Sequence, residues 1–218
     1  MTSEKHWLTS ASPASLLHTT KQLKVLKPRK SLLFACGCYR IVWDQIALAN
    51  VRETVERAEA KADRKLSPEE LRKRRYEGYA RGLPTYDTQN LLQLSLNSLV
   101  TPRVIPEHIA WLVRAALDPA KHDRANKWEE CAPQANLARD IFGNPFRPVT
   151  FAAAWRTDTA VSLAQGMYER RDFSAMPILA DALQDAGCDS DDVLNHCRDV
   201  NAAHVRGCWV VDLVLGKK

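Results

Sequence analysis

Alternation of apolar and polar residues is confined in this chain to short runs such as Arg57–Asp63 and Leu92–Asn97, and its prolines stand where helices begin and end. A half-buried strand needs a sustained period of two, so its scarcity argues against sheets and leaves helices to build the core. Ser12-Pro13 supplies an N-cap followed by proline at the first helical position, and Leu16, Leu17, Leu23 and Leu26 follow up to Pro28. Residues 30–48 predict one strongly apolar helix with Leu33, Phe34, Cys38, Ile41 and Ile46 facing inward. Val51–Lys65 carries Glu/Arg pairs at helical spacing, and Ser67-Pro68-Glu69-Glu70 opens a basic helix through Arg72-Lys73-Arg74-Arg75. Further helices are predicted over Thr85–Leu99, from Pro106, and over Pro133–Phe142, which Gly143 stops. Thr157–Glu169, Ser174–Ala186, Ser190–Cys197 and His204–Leu215 complete the set. The fold class is all-α: one compact bundle of roughly eight to ten short helices, by ordinary helix and loop lengths.

Length and charge narrow the rest. The 218 residues fit one domain, with a basic N-terminal part over residues 1–82 and a mildly acidic helical core over residues 83–218. The first part holds 17 Lys/Arg against 9 Asp/Glu, and the second 14 against 17. Lys21, Lys24 and Lys27 recur at intervals of three, which on a helix gives one face that could follow phosphates, with Arg74 and Arg75 as a second basic stripe. Nucleic acid is therefore one candidate partner. Neighbouring glutamates neutralise much of that field, so solvated helix faces are the plainer reading. No apolar run reaches the roughly 18 residues of a membrane span, and the N-terminus lacks the basic-then-apolar order of a secretory signal. A cytoplasmic protein is expected, with its six cysteines reduced and either buried or bound to metal rather than paired as disulfides.

The densest chemistry lies between His196 and Cys208, where two of the six histidines and two of the six cysteines fall within 13 positions. On the predicted helix His204 and Cys208 are four apart and share a face, so they could chelate one ion. Cys197, with His196 as the alternative, could approach from the preceding helix, and Cys38 could supply a fourth ligand. Cys36 and Cys38 cannot easily serve together, since their directions on a helix differ by roughly 200°. Zinc is the candidate cofactor, although no C-x-x-C knuckle is present. Buried thiols beside a hydrogen-bonded histidine are the plainer alternative. A thiol nucleophile using Cys197 or Cys208 is a further option, with Asp212 orienting His204. None of the eight glycines forms a phosphate-binding loop.

Asn144-Pro145-Phe146-Arg147-Pro148 is the second candidate surface, a rigid turn in which two prolines exclude helix. Phe146 and Arg147 could anchor a protein partner. Structurally, Phe142 and Phe146 would pin the turn to the core while Arg147 pairs with an acid such as Asp140.

Leu33-Phe34-Ala35 with Cys38, Arg40 and Trp43, the string Asp140–Pro148, Leu179–Leu183, Ala186-Gly187-Cys188, His196-Cys197-Arg198 and His204–Leu215 together resemble a family of uncharacterised bacterial proteins. The likeness is close over 137–217, loose over the N-terminal third and poor over 83–130. Asn201-Ala202-Ala203 stands where such proteins carry Gly-Pro. The resemblance implies an all-helical fold and no established activity. With no cofactor loop, no framed carboxylate pair and no complete triad, the expected function is a non-enzymatic protein–protein interaction module. A zinc- or thiol-dependent enzyme at the C-terminal cluster and a nucleic-acid-binding module are the alternatives.

Overall fold

A computed structural model describes residues 3–47, 49–63, 110 and 131–217 of the chain. Among the described residues there are nine α-helices and no strand. They are α1 (Glu4–Thr9), α2 (Pro13–Gln22), α3 (Pro28–Ile41), α4 (Ala49–Ala62), α5 (Ala132–Phe142), α6 (Asp158–Arg170), α7 (Met176–Asp185), α8 (Asp191–Arg198) and α9 (Trp209–Val214). None of the described helices is long and apolar enough to cross a membrane. The chain divides into two compact units, Ser10–Ala135 and Met1–Thr9 with Asn136–Lys218. The division falls inside α5, whereas the charge boundary lies after residue 82. Apart from Ala110, the predicted helices between Ser67 and Pro119, with Arg74 and Arg75, lie outside the described residues.

In the Ser10–Ala135 unit the proline signals are read differently from expectation at two points. The Ser12 hydroxyl caps α2 by accepting from Ser15 N at 3.3 Å. That helix stops at Gln22, because Lys24 takes a left-handed φ of 59°. Pro28 consequently starts α3 instead of ending α2. The apolar helix is also shorter than 30–48: it closes at Ile41, and a 3-10 turn over Trp43–Gln45 follows. Every side chain from Ser31 to Tyr39 is buried, so α3 is enclosed on all sides.

α3 packs on α4, which turns Val51, Val55, Ala58 and Ala62 toward it at helical spacing. Glu59 lies on that apolar face and is 2% exposed. Arg40 holds it through two hydrogen bonds of 2.8 and 3.0 Å, which is what a buried carboxylate requires. The same guanidinium lies 3.7 Å over the Trp43 ring.

In the other unit α7 packs against α6 and α8, and α9 against α6 and α8. Ala160, Ala164 and Met167 of α6, Leu179, Ala180 and Leu183 of α7, Val193 of α8, and Val210 and Val211 of α9 are completely buried. The small residues let helices approach closely, which is how short helices share one core. α1 joins this unit: Trp7 is 1% exposed and its carbonyl accepts from Arg139 Nε at 2.9 Å.

Candidate metal centre

Four side chains from three separate segments meet inside the C-terminal unit. Asp140 comes from the last turn of α5, His196 from the last turn of α8, His204 from the loop that follows, and Cys208 from the N-cap of α9. The expected helix over His204–Leu215 begins only at Trp209. His204 and Cys208 still converge, because a turn closes between Val205 O and Cys208 N at 2.9 Å, with Gly207 at φ 97°. A left-handed glycine does here what helical spacing was expected to do.

One atom of each side chain faces a common point, and these four atoms all lie within 4.8 Å of one another. His204 Nδ1 is 2.7 Å from Asp140 Oδ1, and His196 Nε2 is 3.3 Å from the same oxygen. Cys208 Sγ is 3.2 Å from His196 Nε2 and 3.9 Å from His204 Nδ1. The second carboxylate oxygen accepts Val205 N–H at 3.1 Å, which fixes the carboxylate plane and leaves Oδ1 for the histidines. The Trp209 ring lies 5.2 Å from His196 and walls the group on that side. Gly143, at φ 66°, ends α5 and lets the Trp209 ring in: a Cβ there would meet it at 3.1 Å.

Burial sets the electrostatics. Burial by itself raises the pKa of Asp140, but hydrogen bonds to His196 and His204, and their charge, outweigh it and hold the carboxyl at about 2. The carboxylate is thus ionised and ready as a ligand. Burial, and then the negative charge of Asp140, push the Cys208 thiol well above its ordinary range. Such a thiol is a poor nucleophile without a cation beside it. His204 Nε2 is buried and has no hydrogen-bond partner among the described residues. The ring is therefore buried for what its Nδ1 meets, and not because two hydrogen bonds satisfy a core histidine.

The group contains His204 and Cys208 of the expected ligand set, takes His196 in place of Cys197, and adds Asp140. Cys197 is 1% exposed, among the apolar side chains of the unit's core, and burial followed by its neighbour Cys188 pushes its thiol up to about 12. Cys38 belongs to the other compact unit, buried in α3. All six cysteines are free thiols. Asp140 escaped the sequence reading because it was paired there with Arg147. The available signal was its register: an acid three positions after Leu137 and one before Ile141, on the buried side of α5.

Arg147 instead pairs with Glu4 of α1 and with Asp192 of α8, the latter at 3.7 Å. Asn144 orders the turn, giving Nδ2–H to Glu4 at 2.7 Å and accepting Phe146 N–H at 3.0 Å. Phe146 is half-buried and Arg147 exposed. Lys21, Lys24 and Lys27 are exposed but do not share a helix face. Lys21 lies in the last turn of α2, Lys24 is in the left-handed turn, and Lys27 precedes α3. Comparisons of the chain with protein-family models, curated proteins and solved structures return no match.

Proposed function

We propose that the C-terminal unit binds one transition-metal ion through Asp140, His196, His204 and Cys208, and that the ion is a structural staple in a non-enzymatic helical protein. The observation that carries this is which ring atoms meet which partners. A nucleophile triad needs the thiol on one imidazole nitrogen and the carboxylate on the other. Here a single nitrogen of each histidine approaches both the carboxylate and the thiol. That arrangement serves a central cation and not a proton relay. The side chains of Asp140 and His204 are each 4% exposed and that of His196 17%, which supports a closed site over a catalytic one with an open position.

Work through protein contacts fits the same reading. The staple would hold α5, α8 and α9 in register, and the Phe146-Arg147 turn leaves the end of α5 beside it. Native mass spectrometry of the chain purified without chelator tests the reading. One bound ion per chain, lost in Cys208→Ser and in Asp140→Asn, is the expected result. A chain that is metal-free as isolated and takes up no added transition metal sinks it.

A further inference from the structure

From the donor set we infer that the ion is zinc in a four-coordinate N2OS shell, and that it fastens the His204–Cys208 loop to the end of α5. This rests on the metal-binding reading above and adds the identity of the ion and what it ties together.

Two imidazoles, one carboxylate oxygen and one thiolate form a borderline-soft set. Magnesium and calcium require several oxygens, and this group offers one carboxylate, whose second oxygen is already taken by Val205 N–H. Asp140, His196 and His204 alone would make the two-histidine, one-carboxylate face used for iron(II), but that chemistry needs open positions. Cys208, wholly buried, occupies the next position, and Trp209 stands against His196. A blue-copper site pairs His2Cys with a weak, long axial ligand. Here the fourth donor is a carboxylate oxygen, a hard ligand, within 3.3 Å of both imidazole nitrogens. Bonds of about 2.0 to 2.3 Å to zinc give tetrahedral edges of roughly 3.3 to 3.8 Å. Four of the six edges, at 2.7, 3.2, 3.3 and 3.9 Å, bracket that range and all six lie within 4.8 Å, so side-chain shifts of about 1 Å or less would complete the shell.

The consequence for the chain is local and specific. Two of the four ligands, His204 and Cys208, come from the loop between α8 and α9. The loop's other ties to this unit include Val205 N–H to Asp140 and Arg206 to the carbonyls of Tyr168 and Glu169 at 2.8 and 3.3 Å. An ion bridging Asp140 to His204 and Cys208 adds bonds between the loop and α5, and its binding free energy becomes folding free energy of that segment.

The experiment is cobalt(II) titration of the chelator-stripped full chain, read by visible and near-ultraviolet absorption, followed by zinc. The inference predicts the intense visible bands of four-coordinate cobalt, a thiolate-to-cobalt charge-transfer band, and loss of both when about one equivalent of zinc is added. Cys208→Ser should abolish the charge-transfer band and weaken zinc binding on the order of 10²-fold or more, while Cys197→Ser leaves both unchanged. If Cys208→Ser does not fold, the charge-transfer band of the unaltered chain and its persistence in Cys197→Ser still decide. Weak six-coordinate bands, no thiolate band, or iron or copper in the isolated protein would overturn zinc and leave the metal reading standing. No spectral change and no uptake of any of these ions would overturn both. Amide hydrogen exchange over residues 199–208 should slow on zinc binding, and unchanged exchange there would refute the fastening role.

Discussion

Single residues decide this site by their backbone as much as by their chemistry. Gly143 is the clearest case, because φ 66° strains any other residue and a Cβ there would sit 3.1 Å from the Trp209 ring, which would have to shift by a few tenths of an ångström. Gly143→Ala should destabilise the protein by about 1–3 kcal/mol, from left-handed strain and displacement of the indole. Denaturant unfolding checks this, and a loss under about 0.5 kcal/mol would mean that the indole gives way freely. Asp140 yields a pH prediction for the metal-free chain. Its folded pKa of about 2 lies below the ordinary carboxylate value of roughly 3.9. The stability it contributes, on the order of 2 kcal/mol, is therefore complete above about pH 4 and lost as the pH falls toward 2. Asp140→Asn should flatten that acid limb in urea unfolding measured from pH 5 to pH 2.

At the scale of elements, capping and punctuation account for where the helices begin. Thr157 caps α6 by accepting Ala160 N–H at 3.2 Å, and Thr157→Ala should cost about 1 kcal/mol in the same unfolding assay. A neutral result would place the start of α6 under tertiary control. Helix ends were harder to read than starts. A serine–proline start is local chemistry, and it held for α2. The end of α2 was set by left-handed Lys24, a lysine that nothing in its own side chain marks for that conformation. The His204–Leu215 helix failed similarly: apolar spacing runs through the segment, but the start is at Trp209, after the turn that Gly207 makes. The conclusion that His204 and Cys208 face one another survived for a different physical reason.

For the molecule as a whole, the proposed metal binding would be linked to proton binding. Burial keeps the Cys208 thiol protonated at neutral pH in the metal-free chain, and a thiol ligates as thiolate. Ion uptake must then release at least that proton, so apparent affinity rises with pH, about tenfold per unit for each proton released. Calorimetric titration in two buffers of different ionisation enthalpy at pH 7 should show a difference corresponding to one proton or more. Equal heats in the two buffers would exclude Cys208 as a ligand.

The sequence by itself determined the helical class, because alternation is confined to short runs while caps, prolines and helical spacing recur along the string. It also determined the starts of α2 and α6, where a hydroxyl and a free N–H are three positions apart. It marked His196, His204 and Cys208 as the residues to watch. Tertiary structure alone decided that these meet Asp140, which is 64 residues from His204 along the chain. It also decided that Cys38 belongs to the other compact unit and that Arg147 serves Glu4. Residues so far apart in the chain leave no mark of their proximity in local spacing. The choice among buried acids and thiols is made where helices pack, by which groups can satisfy one another away from water.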